Sequence, residues 1–149
     1  MGPLIFYAVL VKTSIIIAEN KGLKKIKPNF IPAISWFIIS TILLTLPGSA
    51  FPKEDWLNKI WFDKWVHIGM FSIMVFLWCW GTLKNQNEPL KLKKVFLALT
   101  IIWLSYGIIM EFVQLYFVKN RSFDTGDIMA DAVGCVIGLI YSWSRYIKK

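Results

Sequence analysis

Four apolar runs, each close to the ~20 residues that carry a helix across a bilayer, constrain this 149-residue chain more than any other feature. They extend over about Ile31 to Leu46, Trp65 to Leu83, Val95 to Val118 and Ile128 to Tyr146. With 56% apolar residues overall, the chain holds far more apolar surface than a soluble core of this length can bury. Within lipid only helices and closed barrels satisfy every backbone group, and short alternating strands are absent from the sequence. The pattern therefore predicts an all-α integral membrane bundle of four main transmembrane helices plus a short N-terminal apolar helix. Residues 1–30 read as that apolar segment and a basic loop, and residues 31–149 as the transmembrane domain.

Charge supplies the expected orientation. Eleven Lys and Arg lie in residues 19–30, in residues 84–94 and after residue 144, against the acids Glu19 and Glu88. The alternate loops and span ends hold five basic residues against seven acidic ones. The net charge of +8 thus separates into about +9 on one side, −2 on the other and Lys12 in the N-terminal segment, the asymmetry of the positive-inside rule. It places the basic loops and the C-terminus in the cytoplasm. A nucleic-acid-binding reading fails because no basic cluster sits in a polar, foldable segment. Trp36, Trp65, Trp80 and Trp143 lie near span ends, as in an interfacial aromatic belt.

Two segments resist a simple assignment. Pro3 to Ala18 is apolar but short and carries Lys12, so spanning and interfacial placements both remain open. It lacks the basic start and small-residue site of a cleaved signal peptide. The loop from Phe51 to Trp65 places Trp56, Leu57, Ile60 and Trp61 on one helical face, which predicts a short helix lying on the outer surface. Cys79 and Cys135 sit inside apolar runs, without a disulfide or metal-ligand spacing.

The informative residues are polar ones that a simple anchor would not carry. Asp63, Lys64 and His67 open the second span, Glu111 and Gln114 precede the outer end of the third, Arg121 and Asp124 occupy a short loop, and Asp127 and Asp131 open the fourth. All fall at the expected outer face. Helical spacing lets three helices aim them into one pocket: Asp63 and His67 are i, i+4, Glu111 and Gln114 are i, i+3, and Asp127, Asp131, Gly134 and Gly138 form one stripe. Glu111 lies seven residues before Val118, about 10 Å below the end of the span, where a carboxylate must be protonated or paired with Lys64, His67 or Arg121.

Bland roles compete with functional ones. Asp63 and Asp124 are spaced as helix N-caps, Asp124 with Asp127 as a capping box, and Gly134 and Gly138 as a close-packing G-x-x-x-G pair. The remaining polar residues suit either a structural network or a ligand pocket. As chemistry, His67 with Glu111 forms a candidate acid/base pair, and Lys64 with Arg121 suits an anionic headgroup. No nucleophile motif surrounds Cys79, Ser72 or Ser122, and His67, Glu111, Asp127 and Asp131 match no specific metal-ligand spacing, so no metal and no cofactor are expected. Transport is disfavoured by so few helices without broken repeats.

The ordered set D-K-x-x-H (Asp63, Lys64, His67), E-x-x-Q (Glu111, Gln114) and R-x-x-D-x-x-D (Arg121, Asp124, Asp127), followed by Gly134 and Gly138, resembles the VanZ-like family of bacterial membrane proteins. The likeness covers about residues 31–147, with Pro47 closing the first span, and leaves residues 1–30 largely outside. Asp131 stands where that family usually has Asn. The resemblance implies a small multi-pass protein of the bacterial inner membrane, the founding member being associated with resistance to the glycopeptide teicoplanin. It implies no established reaction. The expected partners are the bilayer and a lipid-linked envelope precursor or glycopeptide at the outer face, with an oligomer left open. An intramembrane enzyme acting on such a precursor and a structural subunit of a membrane complex are the alternatives.

Overall fold

The computed structural model describes residues 30–47, 61–83 and 89–147. Four helices account for most of them: α1 (Ile31–Thr45), α2 (Phe62–Thr82), α3 (Pro89–Phe117) and α4 (Thr125–Tyr146), with no strand among the described residues. At about 1.5 Å per residue, the 21, 29 and 22 residues of α2, α3 and α4 reach or exceed the ~30 Å of a hydrocarbon core. These three are long and apolar enough to cross a membrane. The 15 residues of α1 extend only about 22 Å, so α1 is an apolar helix shorter than a full crossing. The N-terminal apolar segment and most of the expected surface helix lie outside the described residues.

Helix boundaries follow local chemistry. Pro32 lies in the first turn of α1, where its missing N–H costs nothing, and Leu46 is extended before Pro47, which disfavours helix at the residue ahead of it. The helix α2 begins at Phe62, three residues earlier than the hydropathy suggests, after Trp61 in the left-handed region (φ 54°). Asp63 is therefore the second helical residue, where its charge favours the positive N-terminal end of the helix dipole; it is not the N-cap. Similarly, α3 begins at Pro89, so Lys91, Lys93 and Lys94 belong to its first turns and not to the preceding loop. The Lys93 ammonium lies 5.5 Å from the centre of the Trp143 ring. At the other end of α3, Asn120 takes the left-handed turn conformation (φ 60°) that Asn tolerates best after Gly.

The packing order follows residue size. The closest pairing is α2 with α4, because Gly134 and Gly138 let the backbones approach: a Cβ added at either would lie 2.5 Å from a carbonyl oxygen of α2, Ile68 and Ser72 respectively. The Ser72 hydroxyl adds an interhelical hydrogen bond to the Gly134 carbonyl at 3.0 Å. Helix α3 covers this pair, its Phe96 and Trp103 sharing one core with Phe71 and Met74 of α2. Short α1 is held by polar ties across the helices: Trp36 Nε1 donates to the Met70 carbonyl at 3.0 Å, Thr41 shares a 2.9 Å bond with the Tyr106 hydroxyl, and Gln114 Nε2 donates to the Leu44 carbonyl at 2.8 Å. The outer surface is apolar, with Ile101, Ile109 and Ile140 each about three-fifths exposed, while Glu111, Gln114 and Asp131 are buried. Such an arrangement, polar within and apolar outside, suits hydrocarbon as solvent.

Glycine substitutions should separate packing from helix propensity. Gly134→Ala should cost about 1–3 kcal/mol by overpacking against the rigid Ile68 backbone. Nothing lies within 4 Å of an added Cβ at Gly69, so Gly69→Ala should stabilise by about 0.5–1 kcal/mol. Reversible unfolding in mixed micelles measures both, and equal effects of the two changes would refute a close α2–α4 contact.

Candidate functional site

Lys64 is the centre of the polar cluster. From the first turn of α2 its ammonium meets three carboxylates: Asp63 at 3.1 Å, Asp127 at 2.5 Å and Asp124 closer still. An ammonium has three N–H donors, so three carboxylates can satisfy it completely. Its side chain is mostly buried, its stem packs on Gly126, and Asp127 is almost wholly buried beside it, whereas Asp63 and Asp124 reach the surface. The same three carboxylates each offer an oxygen within 4.8 Å of the others, a spacing that could hold a metal ion. In this structure the ammonium lies among them.

One turn deeper, His67 Nδ1 and Asp131 Oδ1 are 2.8 Å apart, both buried. The imidazole Nε2 faces Asp127 Oδ2 at 3.9 Å. Asp131 is packed in from the opposite side by α3, where a Cβ at Gly107 would lie 2.5 Å from its Oδ2. With neutral imidazole, an Nδ1–H donated to Asp131 leaves Nε2 as the acceptor, the arrangement by which a carboxylate fixes both ring orientation and tautomer.

The loop between α3 and α4 is fastened from both sides. Asp124 caps α4, its Oδ1 accepting the Gly126 N–H at 2.7 Å. The reciprocal half of a capping box is missing, because Asp127 turns to Lys64. Its place is taken by Glu111 from α3, whose Oε2 accepts the Asp124 N–H at 3.0 Å. Lys64 beside the Asp124 carboxylate holds its pKa below the ordinary value.

The sequence-derived candidates divide accordingly. Asp63, Lys64, His67, Asp124, Asp127 and Asp131 form one connected set, and Glu111 joins it through the backbone N–H of Asp124. Gln114 is fully buried and turns its amide to α1. Arg121 lies half-buried in the loop, three residues before Asp124. His67 pairs with Asp131, where the sequence reading joined it to Glu111. The stripe Asp127, Asp131, Gly134 and Gly138 already held that information, since the face whose glycines touch α2 must also turn its acids to α2. Gly107 and the Leu44 carbonyl were missed, one hidden in an apolar run and the other invisible as backbone. Glu111 Oε1 and Gln114 Oε1 are buried and accept no hydrogen bond among the described residues.

Fold and cluster together define a small helical membrane protein with an internal ionic network at one end of its helices. Residues 4–146 match the VanZ/LLP1 family, and the chain belongs to that family. The match takes in the N-terminal apolar segment that the motifs alone leave aside. Neither a curated protein nor a solved structure matches the chain.

The lowered pKa of Asp124 fixes a sign. Its stabilising contribution is fully present above the unfolded value of about 3.9 and is lost as pH falls through the lower folded value. Replacing the cation in Lys64→Met should move the Asp124 titration upward, so that acid destabilisation starts at higher pH. Carboxyl carbon NMR of Asp124 reads this directly; an unmoved titration would show that Lys64 is not its partner in solution.

Proposed function

We propose that this protein is a four-span protein of the bacterial cytoplasmic membrane, with a cytoplasmic C-terminus and its polar cluster at the outer face. There the cluster binds, or alters access to, an envelope ligand and so contributes to resistance against teicoplanin-type glycopeptides. One observation carries this reading: five acidic side chains, Lys64 and His67 meet at one end of helices that are otherwise apolar. Glu111 is wholly buried six residues before the end of α3, about 9 Å along the axis. Ionisable groups are retained at such depth against a cost, which favours a functional role. The charge asymmetry of the loops supports the orientation. In this account His67, Glu111, Gln114, Arg121, Asp127 and Asp131 face the ligand, Gln114 through its Oε1 while its amide nitrogen holds α1.

The His67–Asp131 pair favours a second reading, an intramembrane enzyme that modifies a lipid-linked or anionic envelope precursor. A neutral His67 whose Nδ1 is held by Asp131 can take a proton at Nε2 from a substrate hydroxyl or water, with Glu111 as the nearby acid. Lys64 is ill suited to holding an anionic headgroup in either reading while three carboxylates occupy it.

Expression in a susceptible bacterium should raise the teicoplanin concentration needed to inhibit growth, and Glu111→Gln and Arg121→Ala should abolish the increase at equal protein level. Equal susceptibility of all strains would remove the resistance role. Mass spectrometry of envelope lipids and wall precursors from the same cells separates the two readings: a new covalent species that disappears in His67→Ala indicates catalysis, and its absence favours binding. For orientation, a cysteine at Ser122 should react with an impermeant thiol reagent from outside while one at Lys91 should not; the reverse pattern would invert the topology.

A further inference from the structure

Below the polar cluster, the seam between α2 and α4 opens outward into a groove of about 230 Å³. Ser72, Ile73 and Phe76 line it from α2, and Ile137, Gly138 and Tyr141 from α4. The groove exists because Gly138 has no side chain to fill it, the helices being so close there that a Cβ would also meet Val75 Cβ at 2.9 Å. The rings of Phe76 and Tyr141, the lining residues farthest from the cluster, meet edge to face at 5.3 Å. Of the two hydroxyl-bearing side chains in the wall, Ser72 gives its proton to the Gly134 carbonyl and Tyr141 turns its ring to Phe76. Nothing in the groove therefore asks for a polar occupant.

Its mouth opens among Ile73, Ile137 and Tyr141, which are 41%, 47% and 56% exposed on helices long enough to span a membrane. Lipid chains are what surround such a surface. The volume falls below the ~300–1,000 Å³ of sites that enclose a whole small molecule, so the groove suits one segment of a longer one. Along the helix axes it lies below the cluster, separated from it by the close contact of Gly134 with Ile68. Ser72 follows His67 by five residues and Gly138 follows Asp131 by seven, about 7.5 and 10.5 Å along the helices. A methyl-branched polyprenyl chain is thicker than an unbranched acyl chain and fits this narrow seam less well.

We propose that the groove seats one acyl chain of a bilayer phospholipid, whose headgroup end points toward the polar cluster. The headgroup half rests on the cluster being a binding site; the acyl half stands on the groove alone.

Native mass spectrometry of the full-length protein in mild detergent, titrated with dioleoyl phosphatidylethanolamine, whose ammonium suits the acid-rich cluster, tests both halves. The wild type should retain one phospholipid. Ile137→Trp and Ile73→Trp, each filling the groove from a different helix, should weaken retention about tenfold, the scale of one lost packing contact set. Ile101→Trp, on the exposed face of α3, should bind as the wild type does. Unchanged retention in both groove variants overturns the proposal, and so does preferential retention of a polyprenyl phosphate offered in equal amount. Glu111→Gln reads the other half: if it alone leaves retention unaltered, the headgroup assignment falls and the acyl site remains. Photolabelling of the wild-type protein with a diazirine-bearing acyl chain needs no variant. Labels should concentrate at residues 72–76 and 137–141, and equal labelling around Ile101 would refute a specific seat.

Discussion

The ionic knot around Lys64 is the interaction on which the upper half of the molecule depends. A lone ammonium or carboxylate at the edge of hydrocarbon pays a desolvation cost that no single partner fully offsets. Here the ammonium of α2 is shared among Asp63 on its own helix, Asp124 in the loop and Asp127 on α4. Three charges of one sign are held together only because the fourth group lies between them. The start of α4 and the loop before it are thereby fixed to α2.

Beneath that knot the protein uses a different device. Glycines at 134 and 138 bring α4 onto the backbone of α2, and this close seam sets the depth at which Asp131 meets His67. Gly107 on α3 gives Asp131 room from the other side. The small residues are thus positioning elements for the ionisable ones: seam geometry decides which carboxylate reaches the imidazole. Glu111 enters from the third helix and takes the N–H that a capping box would otherwise occupy, so α3, the loop and α4 are joined at one backbone atom.

Much of this was legible in the residues. The long apolar runs gave three of the helices their approximate extents, and the spacing of Asp63, Lys64, His67, Glu111, Asp124, Asp127 and Asp131 gathered them at one end. Less visible were the ends of helices. Hydropathy falls where lysines and acids begin, yet Phe62 to Lys64 and Pro89 to Lys94 continue the helix, because backbone hydrogen bonding does not stop where apolar side chains do. Asp63 looked like a cap for the same reason. The pairing of His67 was also out of reach from spacing within each helix alone, since it depends on the rotation of one helix about its axis relative to another.

By itself the sequence determined that the chain is helical, that it carries membrane-length apolar spans, and which polar residues share a face. Those properties are local: they follow from hydropathy over about 20 residues and from a 3.6-residue repeat. Tertiary structure alone decided that Asp131 and not Glu111 holds His67, that Lys64 is spent on three carboxylates, and that Gln114 ties down α1 through a carbonyl of Leu44. The physical reason is that partner choice depends on helix rotation and depth, and both are set by the size of residues such as Gly107, Gly134 and Gly138 at contacts distant in sequence.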